Sequence, residues 1–240
     1  MNTELDPATF ITKEELEVFT TVRQFIQNAE IWHTRFAKTA EAKSYLREQR
    51  GYCKKLCSEV IPLAAYLEAE FGRADGVSVR YLTGNQPYDA ELVYQSLIDV
   101  RPPRYVEITS IAMDYDMAAR MRELSRTGGV SASGPVIRTR DESGRLIPRF
   151  IAIAQYASSA LGTELAKLND EIEKKRAKSY PRGTALILDF DDALFARDPD
   201  AREALNGWFE DCAIPRLVNS GFCQVALTSY SRFYGSKYLP

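Results

Sequence analysis

One histidine, His33, stands in 240 residues. A lone imidazole with no clustered ligands cannot build a histidine metal shell, so a structural role is expected for it. Four cysteines make no disulfide framework in a chain of this length, and a reducing compartment, the cytoplasm, is expected. Cys53 and Cys57 are four apart on a predicted helix, a spacing that zinc sites use. Cys212 and Cys223 supply no CxxC partner, so packing as small hydrophobes is the reading adopted. No run of about 18 apolar residues is present, which excludes a membrane-spanning helix. The start, MNTELDPATF, lacks the basic flank and apolar centre of a secretory signal. A net charge of −2 argues against strong non-specific attraction to nucleic acid, while leaving room for a local basic groove.

What is present is the composition of a globular protein, 45% apolar and 27% charged. A chain of this length can bury about 70–75% of its unfolded surface. Its most informative stretch is 77–111. Val77, Val79 and Tyr81 alternate with Ser78 and Arg80, the period of a half-buried strand. TGNQP breaks it, 88–94 reads as a second strand, and RPPR separates that from a third at 105–111. Asp89 and Glu107 stand where apolar strand residues are expected. If these strands are neighbours, the two carboxylates converge, and two buried carboxylates repel. A divalent cation would relieve the repulsion, since hard cations take one or two carboxylates plus water and phosphate oxygens. Two bland alternatives stand beside this. Asp89 is a turn residue satisfied by backbone N–H groups, or Glu107 lies on an exposed face or pairs with Arg80 or Arg104.

An acidic residue opening one strand, then Glu-x-Lys on the next, is the pattern of the PD-(D/E)XK nuclease superfamily. Asp89 with Glu107-Ile108-Thr109 resembles it. So does the order of helix 54–71, three strands, a later helix and a further strand, over about residues 53–191. The resemblance implies a metal-dependent nuclease hydrolysing phosphodiester bonds, with Mg²⁺ or Mn²⁺ held by Asp89 and Glu107 and Glu59 assisting from the preceding helix. Thr109 occupies the position of the family's lysine, thought to position or activate water. Lys167, Lys174, Lys175 and Lys178, on the long later helix, are the candidates to replace it, with Lys175 assigned to the catalytic set. The alternative is a non-catalytic module on the same fold, binding protein or nucleic acid.

The fold expected is α/β, a mixed central sheet flanked by helices. A restriction-endonuclease-like core over 51–240, ending in a βαβ element, follows a helical N-terminal extension over 1–50. Thr12 and Glu15 form a capping box for a helix over 13–29, and a polar helix continues over 30–50. Pro62 is expected to kink or break helix 54–71, which Gly72 caps. Residues 130–150 read as an exposed hairpin, where Arg138, Arg140 and Arg145, with Arg149, are candidate phosphate contacts. Residues 151–179 read as a long amphipathic helix with a charged end, and 184–190 as a buried strand.

A rival motif lies at the end of that strand. LILDFDDALF resembles the first motif of haloacid-dehalogenase-type phosphatases, with Asp189 as nucleophile and Asp191 as acid/base, and LTS at 227–229 resembles the second. Ala193 departs from the family's usual Thr or Val before Leu194. Only eleven residues follow Ser229, too few for the later lysine and acidic pair.

Overall fold

The computed structural model describes residues 6–95, 102–111, 115–130, 134–154, 156–229 and 232–240. The Thr12 hydroxyl accepts from Glu15 N–H at 3.2 Å and the Glu15 carboxylate accepts from Thr12 N–H at 2.9 Å, so the capping box forms. Its helix, α1 (Lys13–Leu16), is only one turn long. β-branched Thr20 and Thr21 instead form β1 (Thr20–Thr21), which pairs antiparallel with Val79 and Ser78 of β2 (Val77–Tyr81). Pairing within the sheet overrides the helical period there. Thr21 caps α2 (Val22–Phe36) and Thr39 caps α3 (Ala40–Arg47), so the polar helix expected over 30–50 is split.

A continuous helical run follows: α4 (Cys53–Lys55), a π-turn (Leu56–Val60) and α5 (Ile61–Phe71). Pro62 neither breaks nor ends it. Proline lacks an N–H and crowds the carbonyl four residues back. The turn before it widens, and Ile61 N–H reaches Leu56 C=O. The same device recurs at Pro215, where a π-turn (Phe209–Ala213) joins α8 (Pro199–Trp208) to α9 (Ile214–Leu217).

Among the described residues the main sheet has seven strands in the order β1-β2-β3-β4-β7-β8-β9. β2, β3 (Ala90–Tyr94) and β4 (Tyr105–Ser110) form an antiparallel meander. After β4 come α6 (Tyr115–Thr127), a separate ribbon of β5 (Val136–Arg140) and β6 (Leu146–Phe150), and α7 (Ala157–Arg176). The long helix starts at Ala157 and not at 151, because 151–154 and 156 carry no regular structure after the ribbon. β7 (Thr184–Asp189) then lies parallel to β4, and β8 (Phe222–Ser229) parallel to β7 across α8 and α9. β9 (Arg232–Tyr238) closes the sheet antiparallel to β8.

The protein is thus α/β, a mixed central sheet with helices on both faces. α2 and α5 cover one face, packing Phe25, Trp32, Phe36 and Leu67 on Val79, Val106 and Ile187. α7, α8 and α9 cover the other, packing Leu168, Ile172, Leu205 and Leu217 on Leu186, Leu188 and Leu227. Residues of the N-terminal 50 therefore share a core with the sheet. Cys53 and Cys57 are buried against the first face, and burial pushes both thiols up to about 12. Buried in this way, the two side chains pack as small hydrophobes. No helix among the described residues is long and apolar enough to cross a membrane.

Candidate functional site

Asp89 sits directly before β3, at the rim of the meander. Its own N–H donates to Val106 C=O and its C=O accepts from Leu82 N–H, both at 2.8 Å. Its side chain joins the same ladder, Oδ2 accepting from Ile108 N–H at 2.8 Å. Burial is the main reason its carboxyl is pushed up to about 7, followed by the negative charges of Glu59 and Glu107. The Ile108 N–H and the Lys55 ammonium pull it partly back.

Glu107 lies in β4. In the parallel pairing it stands opposite Leu186, and Thr109 opposite Leu188, so both face the α7 layer. Lys175 Nζ is 2.5 Å from Glu107 Oε1, with side chains only 12% and 11% exposed. Tyr180 OH lies 3.5 Å from the same oxygen. Burial, then the Glu107 charge, lifts the Tyr180 phenol well above its usual range. Glu107 therefore pairs with a lysine across the layer and not with Arg80 or Arg104. Arg80 is paired with Glu91 at 2.5 Å.

Glu59 comes from the opposite helix layer. It is held on the π-turn that Pro62 imposes, where Lys55 Nζ reaches its two oxygens at 2.8 and 2.9 Å and the Tyr81 hydroxyl donates to Oε2. Asp89 therefore senses both Glu59 and Glu107, each of which is paired with a lysine. They are not drawn into a single shell: no group of three or more His, Cys, Asp or Glu side chains is gathered to hold a metal ion among the described residues.

Thr109, the position of the missing lysine, is 6% exposed and its hydroxyl has no hydrogen-bond partner among the described residues. Of the four lysines proposed to replace that lysine, Lys175 alone reaches an acidic residue of this site. Lys167 pairs with Glu164, Lys174 pairs with Glu171, and Lys178 lies past the end of α7. Arg138, Arg140 and Arg145 lie on the β5–β6 ribbon, exposed to solvent, with the Arg140 guanidinium bonded to Gly144 C=O at 2.7 Å.

Lys55, Tyr81 and Tyr180 are site residues that the sequence reading missed. Lys55 had a usable signal, since it precedes Glu59 by four residues on a helical run. The two tyrosines had none, because Tyr81 within a strand reads as core and Tyr180 stands in the connection before β7.

A second polar cluster lies at the carboxyl ends of the parallel strands. Asp189, 1% exposed, accepts from Ser110 at 2.7 Å and from Thr228 at 3.1 Å, one bond to each carboxylate oxygen. It braces the ends of β4, β7 and β8 together. Asp191 accepts from Ala193 N–H at 2.9 Å. Asp192 is paired with Arg232 at 2.7 Å and accepts from the Tyr234 hydroxyl. A cavity of about 860 Å³ opens above them, lined by Phe190, Leu194, Arg197 and Arg232 among others. In this setting Asp189 is enclosed, with both oxygens engaged, which is the geometry of a brace and a poor one for an attacking nucleophile.

No protein-family model, curated protein or solved structure matches the chain.

Proposed function

We propose that the protein is a metal-dependent nuclease whose lysine has moved from β4 to α7. The observation that carries the reading is the Lys175 Nζ to Glu107 contact of 2.5 Å, beside Asp89 on the neighbouring strand. It places an ammonium group where Thr109 supplies none. The order α5, β2, β3, β4, α7, β7 supports it too, being the element order that the resemblance implies, with α6 and the β5–β6 ribbon inserted between β4 and α7.

The donor set is chemically suited to a hard cation. Asp89 Oδ2 is engaged by Ile108 N–H, while its other oxygen accepts no hydrogen bond from the described residues. Once Asp89 is ionised, three carboxylates face two ammonium groups here, and the site is then one positive charge short. Asp89 and Glu107 would hold Mg²⁺ or Mn²⁺, with Glu59 assisting. When bound, the cation supplies a water of lowered pKa and offsets charge on the scissile phosphate. Asp89 must give up its proton to act as a ligand, so cation affinity rises as pH climbs through about 7. Lys175 holds Glu107 in place and offers N–H donors to a phosphate oxygen. Tyr81 and Lys55 fix Glu59.

The test is cleavage of supercoiled plasmid, single-stranded DNA and RNA with Mn²⁺ or EDTA. Glu107→Gln and Asp89→Asn should each lower metal-dependent cleavage at least 100-fold. Glu107→Gln keeps the shape of the side chain but leaves the Lys175 ammonium without its counter-charge, and emptying one half of a buried ion pair costs about 3–5 kcal/mol, so its melting temperature is measured beside its activity. Lys175→Met alone should therefore lower stability, and adding Glu107→Gln to it should restore the melting temperature without restoring cleavage. Cleavage recovered in that double variant would sink the assignment.

One observation favours a second reading, a non-catalytic binding module. Glu107 is already neutralised, and the three acidic groups are not gathered as one shell. That reading predicts no rise in melting temperature with Mg²⁺ or Mn²⁺, whereas a ligand bound only by the folded state raises it.

A further inference from the structure

The β5–β6 ribbon is unlike the rest of the molecule. Ile137, Leu146 and Ile147 are 44%, 55% and 39% exposed, and its arginines point into solvent. A lone two-stranded hairpin is marginal in water, yet this one is held in shape at both ends. At its base Val136 N–H donates to Asp116 at 3.3 Å, Ile151 N–H donates to Pro135 C=O at 3.2 Å, and Arg120 donates to Gly134 C=O. At its tip the Asp141 carboxylate accepts from Ser143 N–H at 3.0 Å and Arg145 N–H at 2.9 Å.

The pairing fixes which side chains share a face. Arg138 stands opposite Pro148 and Arg140 opposite Leu146, on one face. Ile137 stands opposite Arg149 and Thr139 opposite Ile147, on the other, with Arg145 in step. Each face therefore carries both arginine and aliphatic side chains. Four arginines against Asp141 and Glu142 give the ribbon +2, whereas the whole chain is −2, which leaves −4 on the remainder.

We propose that this ribbon enters the major groove of duplex DNA. A protein partner docks on one face and favours an apolar side with a polar back. A groove instead presents phosphates on two walls and base edges on its floor, which suits arginines on both faces and aliphatic groups among them. The B-form major groove, about 12 Å wide, admits a two-stranded ribbon, while the minor groove, about 6 Å wide, does not. The major groove of an RNA duplex is too narrow for side chains to read. Arginine pairs with guanine edges and phosphates, and aliphatic groups meet the thymine methyl. Arg145 and Arg149 are the phosphate-contacting pair on one face. Arg140 is committed to Gly144 C=O and shapes the tip. As a statement of the nuclease's substrate, this rests on the preceding reading; as a binding surface it stands on the ribbon.

The experiment is fluorescence anisotropy in EDTA with a labelled DNA duplex of about two helical turns, its single strand, and the matching RNA duplex. Each is titrated with wild-type protein and with Arg145→Glu/Arg149→Glu. The ribbon residues are exposed, and circular dichroism melts confirm that the charge-reversal variant folds. Duplex DNA should bind at least tenfold tighter than the other two probes. The double reversal should weaken it more than tenfold and lower the slope of log affinity against log salt by about 2, one for each lost phosphate contact. Equal binding by the double variant overturns the proposal, as does binding of single strand or RNA duplex as tight as of DNA duplex. Binding of none of the probes also overturns it and leaves the ribbon as a protein-docking arm. Duplex binding in this pattern, with no Mn²⁺-dependent cleavage by wild type, would defeat the nuclease reading alone.

Discussion

At the scale of single residues the chemistry concentrates on Asp89. An ordinary aspartate titrates near 3.9 in the unfolded chain. In the folded chain burial and the flanking glutamates push it up to about 7. Between these values the folded state holds a proton that the unfolded state has released. Stability is therefore highest near the lower value and falls as pH rises through the window. One pKa unit corresponds to about 1.4 kcal/mol, so the loss is on the order of 4 kcal/mol between pH 4 and pH 8. Denaturant melts of the metal-free protein across this range should show that decline. Asp89→Asn, whose amide oxygen can still accept from Ile108 N–H, should flatten it and be the more stable protein at pH 8. The acidic pair was legible because a charged residue in an apolar strand pattern is conspicuous. The depth of its burial and the tyrosines beside it depend on how β3 meets β4 and how α7 lies across them, which no local pattern encodes.

At the scale of elements, the meander strands, β7, β8 and the caps were readable, while β1, β9 and the helix lengths were not. The capping box at Thr12 forms as its residue types require, yet the helix stops after one turn because Thr20 and Thr21 find β2. Pro62 acts through the preceding turn and not by ending the helix, and that displaced turn presents Glu59. The hairpin was expected from its Asp-Glu-Ser-Gly tip and appears with that tip. Its base depends on Gly134, which adopts φ +98 and would place an added Cβ 2.0 Å from Ile151 C=O. Gly134→Ala should therefore distort the ribbon base. Its melting temperature should stay within a few degrees of wild type, since the ribbon adds little to either core. Its anisotropy titration should show duplex DNA binding weakened several-fold while every arginine remains.

At the scale of the molecule the sheet separates two hydrophobic layers. The mixed α/β class was legible from alternating strand and helix signals. What the sequence did not disclose is that residues of the first 50 belong to the same core as the strands. Val22, Phe25, Ile26, Trp32 and Phe36 are all buried against the sheet. Burying a large apolar side chain is worth about 1.5–3 kcal/mol, so these five together match the 5–15 kcal/mol that stabilises a typical domain. A chain beginning at residue 51 should be unfolded or molten, seen as a lost cooperative melt by circular dichroism. A retained two-state melt would show the helical segment to be dispensable.

The buried thiols give that layer a built-in clock. Cys53 precedes the turn that presents Glu59 and Cys57 lies within it, and burial keeps both protonated at neutral pH. Alkylating reagents attack thiolates, so these two positions stay silent while the helix is seated. Each turns reactive only in the moments when the layer lifts from the sheet. Mass-tagging them counts those openings, and the rate at which tags accrue measures how often the acidic site comes apart in a protein that is otherwise folded.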